Sequence, residues 1–274
     1  MNFRNVILFK VKVLLIIYCL LLFNQPIFSL GEVRVTMWGG YSTVSMDDLN
    51  KQLESKADYM FKNSDGYQPS VRRFSDSIIF GFDVLYKLSH DIYVGPRIAF
   101  LSSSGEVLGR TTVLGYTQIN PPYDPIYDAK ISLNTFLIPI MFGEVYSKEI
   151  LKKMFFSGKI FIGFANAYFT SRFEWYKKYG YTESTYVEYF AEGNGVVSDL
   201  STAIEYRISK NLSTELSIGY KIARITNMHQ TKEYKTLYIG KTKEIVVQVE
   251  DEKGNKIPFD FSGMNFTFGL KYRF

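Results

Sequence analysis

Apolar and polar residues alternate strictly along the end of the chain, residues 263–274. Met264, Phe266, Phe268, Leu270, Tyr272 and Phe274 have one parity; Gly263, Asn265, Thr267, Gly269, Lys271 and Arg273 have the other. Successive side chains of a β-strand point to opposite faces, so a period of two predicts a strand with one apolar and one polar face. Earlier segments read in the same way: residues 32–41, 77–88, 92–102, 154–169, 196–208 and 212–225. Residues 131–146 also read as a strand, but 136–142 are apolar on both faces and Pro139 interrupts them, so their facing is not assigned. Pro96 lacks a ladder donor and predicts a local break in the third strand.

The connections alternate in length. Ser89-His90-Asp91, residues 147–153 and Ser209-Lys210-Asn211 are short, whereas 42–76, 103–130, 170–194 and 226–260 are long. Eight strands joined this way place the three short turns at one end and the four long loops at the other. The expected fold is all-β, an eight-stranded antiparallel up-and-down barrel. The first long loop carries a different period. Ser45 as N-cap, Asp48 three residues on, and Val44 with Leu49 as a staple predict a short helix. Its apolar face is Met46, Leu49, Leu53 and Ala57. It either packs to order the loop or forms a lid or docking element at the barrel mouth. Residues 244–258 predict a small hairpin about Gly254-Asn255 in the last long loop.

Alternation alone does not say which face is inside. A soluble lipocalin-like barrel is apolar within and would line a ligand cavity with Phe266, Phe268 and Leu270; a membrane barrel is inverted. The polar face carries Asp83, Lys87, Arg97, Lys159, Asp199, Glu205, Arg207, Glu215, Lys221, Lys271 and Arg273, interleaved with Gly81, Gly95, Gly219 and Gly269. An eight-stranded barrel has an interior just wide enough for side chains to fill. Both signs are present, so these residues would pair across a lumen and leave little open pore.

The start of the chain bears on the choice. Arg4, Lys10 and Lys12 precede a continuous apolar run, residues 13–23, too short for a spanning helix and suited to an export signal. Cleavage is expected after Gly31 or Ser29, leaving 32–274 as one barrel domain. The single cysteine, Cys19, lies inside the run, so the exported chain has no disulfide. Losing three basic residues and no acids takes the formal charge from +5 to +2, and no basic tract points to nucleic acid.

The closing strand resembles the assembly signal of bacterial outer-membrane barrels, which ends in Phe with apolar residues at alternate positions before it. Phe266, Phe268, Leu270, Tyr272 and Phe274 carry that resemblance. The mature chain, by its layout, resembles the eight-stranded families typified by the OmpA membrane domain, OmpX and OmpW. The resemblance implies a transmembrane barrel in the cell outer membrane, with extracellular long loops and periplasmic short turns. Its implied partners are outer-membrane lipid, lipopolysaccharide and the barrel-assembly machinery, with a surface or host ligand reached through the loops.

Candidate chemistry is sparse. Outer-membrane lipid A deacylases and proteases use a His-centred site, and this chain has two histidines. His90 falls in a short turn. His229 lies in the last long loop near Thr226, Asn227 and Gln230, with Ser262 as a distant partner. No Cys/His metal spacing, P-loop or dinucleotide fingerprint is present. Asp47-Asp48 and Glu250-Asp251-Glu252 suit solvated loops better than cation sites, and no cofactor is expected. Two non-enzymatic roles are left. One is structural or surface interaction, for which the Tyr-rich loop 170–194 offers large amphipathic faces. The other is a narrow conduit for small hydrophobic molecules, as thought for OmpW-like barrels, which needs an apolar interior patch such as residues 131–146 would supply.

Overall fold

The computed structural model describes residues 31–62, 67–112, 126–176, 185–235, 249–250 and 256–274. The expected export segment, Pro121, Pro122, Pro125, Tyr179, Tyr181 and the Gly254-Asn255 turn lie outside them. The chain forms β1 (Val33–Thr43), α1 (Asp47–Lys62), β2 (Ser70–Arg72), β3 (Asp76–Lys87), β4 (Ile92–Thr112), β5 (Ile126–Leu151), β6 (Met154–Tyr176), β7 (Thr185–Arg207), β8 (Leu212–Ile225), β9 (His229–Lys235), β10 (Phe259–Asp260) and β11 (Gly263–Arg273). Strands pair in the order β1-β3-β4-β5-β6-β7-β8-β11. The antiparallel ladder between β1 and β11, from Arg34↔Arg273 to Ser42↔Asn265, closes the ring.

The two prolines mark lapses in the ladder without ending a strand. Pairing between β3 and β4 skips from Asp83↔Arg97 to Tyr86↔Val94, opposite Pro96. Between β4 and β5 it skips from Ile98↔Ile140 to Leu101↔Leu137, at Pro139. Tight curvature is accommodated at inward-facing glycines. A Cβ on Gly143 would lie 2.0 Å from the Ile160 carbonyl oxygen, so only glycine lets these strands coil so closely.

The faces are those of a membrane barrel. Met37, Phe164, Leu200, Leu216, Phe268 and Leu270 are exposed, while Asp83, Arg97, Lys159, Glu205, Glu215 and Lys271 are buried. Apolar side chains therefore cover the outside. The lipocalin-like alternative required the reverse, with Phe266, Phe268 and Leu270 lining a cavity; all three point outward. Tyrosines flank the apolar belt on its outer surface. Tyr86, Tyr146, Tyr206 and Tyr272 lie toward the short turns; Tyr41, Tyr168 and Tyr220 lie toward the loops. Aromatic girdles of this kind sit at the two edges of a hydrocarbon layer. Among the described residues no helix is long and apolar enough to cross a membrane.

Strands reach farther than their alternation predicts. β4 to β7 continue past the rim, pairing as far as Thr112↔Ile126 and Trp175↔Thr185. β9 adds to β7, and the short β2 adds to β4. The expected loop 170–194 is thus largely sheet. Tyr189, expected on a contact surface, is buried and packs against Phe169 at 6.3 Å. Its parity turns it inward, where the concave side of the extended sheet is covered.

The cover is α1 and the segment around β10. Leu49, Leu53, Ala57 and Met60 form the buried face of α1. The Met46 carbonyl accepts from the Asn50 amide at 2.8 Å, which makes Met46 the N-cap and moves Ser45 one residue outside the helix. The Asn50 side chain clamps the loop, accepting from Phe74 N at 2.8 Å and donating to Phe74 O at 2.9 Å. Gly105 of β4 makes room for this docking: a Cβ there would stand 2.7 Å from Leu53 and 2.8 Å from Phe74. From the other side Phe259 meets Phe169 edge-on at 4.9 Å.

Candidate functional site: the closed lumen

Inward-facing positions of seven of the eight barrel strands, all but β5, build two chains of polar partners. The first runs across the middle of the lumen. Arg97 on β4 makes a fork to Asp83 on β3, with Nε to Oδ1 and Nη2 to Oδ2 both at 2.8 Å. Its Nη1 reaches Asp199 on β7 at 3.1 Å. Trp38 Nε1 donates to Asp83 at 2.8 Å, and Asn265 Nδ2 donates to Asp199 at 2.9 Å. Ser42 donates to Asn265 Oδ1 at 2.6 Å and accepts from Lys221 Nζ at 3.2 Å. The Arg97 guanidinium also lies over the Phe161 ring, 3.8 Å from its centroid. Arg97 is the centre of this layer, since a planar guanidinium can satisfy two carboxylates and stack on a ring at once.

The second chain lies nearer the short turns. Lys271 on β11 donates to Glu205 Oε2 and Glu215 Oε2, each at 2.7 Å. Lys159 on β6 takes the other Glu215 oxygen, and Arg273 takes the other Glu205 oxygen. Between the two chains is a cavity of about 20 Å³, lined by Arg97, Lys159, Asp199 and Glu215 among others. That is room for about one water.

Of the eleven charged residues read from the polar face, Asp83, Arg97, Lys159, Asp199, Glu205, Glu215, Lys221, Lys271 and Arg273 are buried. Lys87 and Arg207 are half-buried at the turn end. Lys87 faces Glu32 at 3.6 Å, whereas no carboxylate partner is found for Arg207 among the described residues. The sequence reading left Arg34, Trp38, Tyr93 and Asn265 out of this group. All have the inward parity, so parity was the available signal; an uncharged Tyr or Trp simply does not stand out in a search for charge.

Glu32 and Arg34 close the turn end, Arg34 Nε donating to Glu32 at 2.6 Å. Burial alone would raise the Glu32 carboxyl. The hydrogen bond from Arg34 and the charges of Arg34, Arg273 and Lys87 outweigh that and hold it below its ordinary value.

Toward the loops the lumen is apolar. β5 turns Leu133 and Leu137 inward there, with Met141 and Val145 also inward farther down, beside Arg97 and Tyr93, and Ile140 and Phe142 outward, which resolves the facing left open by its sequence. Above them Phe169, Val197, Ile225 and Phe259 merge with the α1 face into one buried cluster.

Neither histidine stands in a catalytic constellation among the described residues. His90 is exposed beside Asp91, with Nδ1 2.7 Å from its carboxylate. His229 on β9 lies 3.7 Å from Glu192 of β7. Ser262 Oγ is occupied in accepting from Ala223 N at 3.0 Å. Among the described residues no His, Cys, Asp and Glu group is arranged to hold a metal ion.

The molecule is an eight-stranded transmembrane β-barrel with a filled lumen. It is similar to solved outer-membrane barrels. Against Ail, the attachment invasion locus protein of Yersinia pestis, identity is 10% and the TM-score 0.39, covering 89% of this chain and 99% of that one. Against Neisserial surface protein A the values are 9% and 0.35, over 89% and 100%. Against OprG from Pseudomonas aeruginosa they are 12% and 0.35, over 88% and 95%. No family model and no curated protein matches the sequence.

Proposed function

We propose that this chain is an integral protein of the bacterial outer membrane, acting as a closed, non-enzymatic barrel that displays its loop end to a partner. The observation that carries this reading is the filling of the lumen from both sides. Partnered charges occupy the turn end and a packed apolar cluster occupies the loop end, while β4 to β7 carry a rigid sheet beyond the rim. Such a construction favours presentation over passage. The outer belt would meet lipid, and lipopolysaccharide where the girdle faces outward. The residues of β11 that point out, Phe266, Phe268, Leu270 and Tyr272, together with Phe274, would be read by the barrel-assembly machinery after export.

The test is single-channel conductance of the refolded protein in a planar bilayer, with heat-modified gel mobility to verify folding. Folded protein is expected to give no steady conductance. Reproducible conductance would overturn the closed barrel and favour a conduit for small hydrophobic molecules. The inward Leu133, Leu137, Met141 and Val145 of β5 are the observation on which that second reading rests.

A further inference from the structure

The turn end of the lumen holds more positive charge than its own carboxylates satisfy. Arg34, Lys87, Arg207 and Arg273 gather there, against Glu32 and Glu205. Glu205 is moreover shared with Lys271. Three of the four cations are guanidiniums held close together. Arg34 and Arg273 are direct cross-strand neighbours on β1 and β11. Arg207 and Arg273 both lie over the Phe155 ring, 4.3 and 5.3 Å from its centroid, and Arg34 lies over Tyr93 at 3.5 Å. The rings lie against the guanidinium faces, so that donation is through the edges, of which Arg34 already spends two nitrogens on Glu32 and Tyr93 and Arg273 one on Glu205.

Several polar atoms at this end have no hydrogen-bond partner among the described residues. They are Arg34 Nη1, Arg207 Nε and Arg273 Nε, the last 3.5 Å from the Glu32 carboxylate but not hydrogen-bonded to it, with Ser213 Oγ directly across the ladder from Arg207. Arg34 and Arg273 are more than nine-tenths buried, and Ser213 is wholly buried. Buried polar groups are nearly always satisfied, and a buried charge without a partner is destabilising. A deficit shared by three forked cations and a hydroxyl has the chemistry of an oxyanion site, because guanidinium edges match the oxygens of carboxylate and phosphate. Arg207 and Glu32 are partly open to solvent, which gives access from the turn end.

We propose that the turn-end mouth of the lumen is a binding site for one small oxyanion of the phosphate or carboxylate type, held by Arg207, Arg34, Arg273 and Ser213. The site is independent of what the loops bind, and it does not require the lumen to conduct. It gives the turn side of the barrel a ligand of its own.

Inorganic phosphate and acetate are titrated separately into the refolded protein in detergent micelles, at neutral pH and with ionic strength held constant by chloride. Heat release and the thermal unfolding midpoint are followed together. The expected result is saturable binding with one anion per chain and a midpoint that rises with anion concentration. Arg207→Gln, which removes no ion pair from the barrel, should weaken the affinity at least tenfold, and Arg207→Lys should recover only part of it. Lys148→Gln, an exposed change on the outer face of β5, should leave binding unaltered. Phosphate without acetate, or the reverse, would name the anion. The proposal is overturned if neither anion differs from chloride, or if Arg207→Gln and Lys148→Gln weaken binding equally.

Discussion

From the middle of the lumen to its turn end, Arg97 with Asp83 and Asp199, and Lys271 with Glu205 and Glu215, interlock through charged hydrogen bonds. In the loop-end half, Leu53, Phe74, Phe169 and Phe259 fill the same kind of space with apolar contact. The two halves share strands, so backbone geometry does not account for the difference. What differs is the supply of elements. At the turn end the described residues are those of barrel strands and their short turns, and their inward residues must satisfy one another. At the loop end β4 to β7 run past the rim, and α1 and β10 bring an apolar cover from other parts of the chain. A polar plug is direction-dependent and fails when a single partner is lost. An apolar plug is graded and can shift. The contrast gives unequal expectations for single substitutions.

The largest effect is expected from Arg97→Ala, which strands both Asp83 and Asp199 in a closed interior. Breaking a buried pair from one side costs about 3–5 kcal/mol. Denaturant unfolding of the refolded protein would measure it. If Arg97→Ala proved as mild as an apolar truncation at the loop end, the charged half would owe its closure to packing, and the contrast would collapse. Next is Leu53→Ala, which removes the side chain that faces Gly105. About 2 kcal/mol is expected, the low end for a buried leucine, because α1 can settle onto β4. The loss should be local. Amide exchange should quicken over residues 47–62 while the barrel strands and heat-modified mobility stay as they were. Exchange that quickened equally in β6 and β8 would mean that the two halves unfold as one unit.

The smallest effect concerns acid. The Glu32 carboxyl is held below its ordinary value in the folded protein, so its contribution is fully present above that value and lost as pH falls through the depressed one. Unfolding midpoints should therefore decline on the acid side, below about pH 4.5. Glu32→Gln should flatten that limb and leave the neutral range nearly unchanged. An unaltered acid limb would remove Glu32 from the set of groups that hold the turn end.

Period-two alternation was enough to find seven of the eight barrel strands, because it is a property of neighbouring residues along one strand; the eighth, at 131–146, was read as a strand without its facing. The same parity gave the inward face of β3, β7, β8 and β11 correctly. Asp83, Asp199, Glu215 and Lys271 were singled out together; Tyr93 shares their parity without a charge, and Arg34 was left out although it has both the parity and the charge. The helix was legible from Leu49, Leu53 and Ala57, although its cap fell one residue late. Where alternation failed was beyond the rim. Residues 103–112, 126–130 and 185–194 look like polar loop, yet they pair as strands because their neighbours across the sheet do.

The sequence by itself determined the number of barrel strands, the alternation of short and long connections, and which residues share a face of each strand. These follow from local geometry, since each side chain's face is set by its own strand. Only the tertiary structure decided which way the barrel is turned, that Lys159 and Lys271 share Glu215, that Arg207 is left without a carboxylate among the described residues, and that Tyr189 is covered. Those outcomes depend on the register of strands far apart in the chain. When a sheet closes into a barrel, register and strand tilt fix together which side chains meet across the lumen.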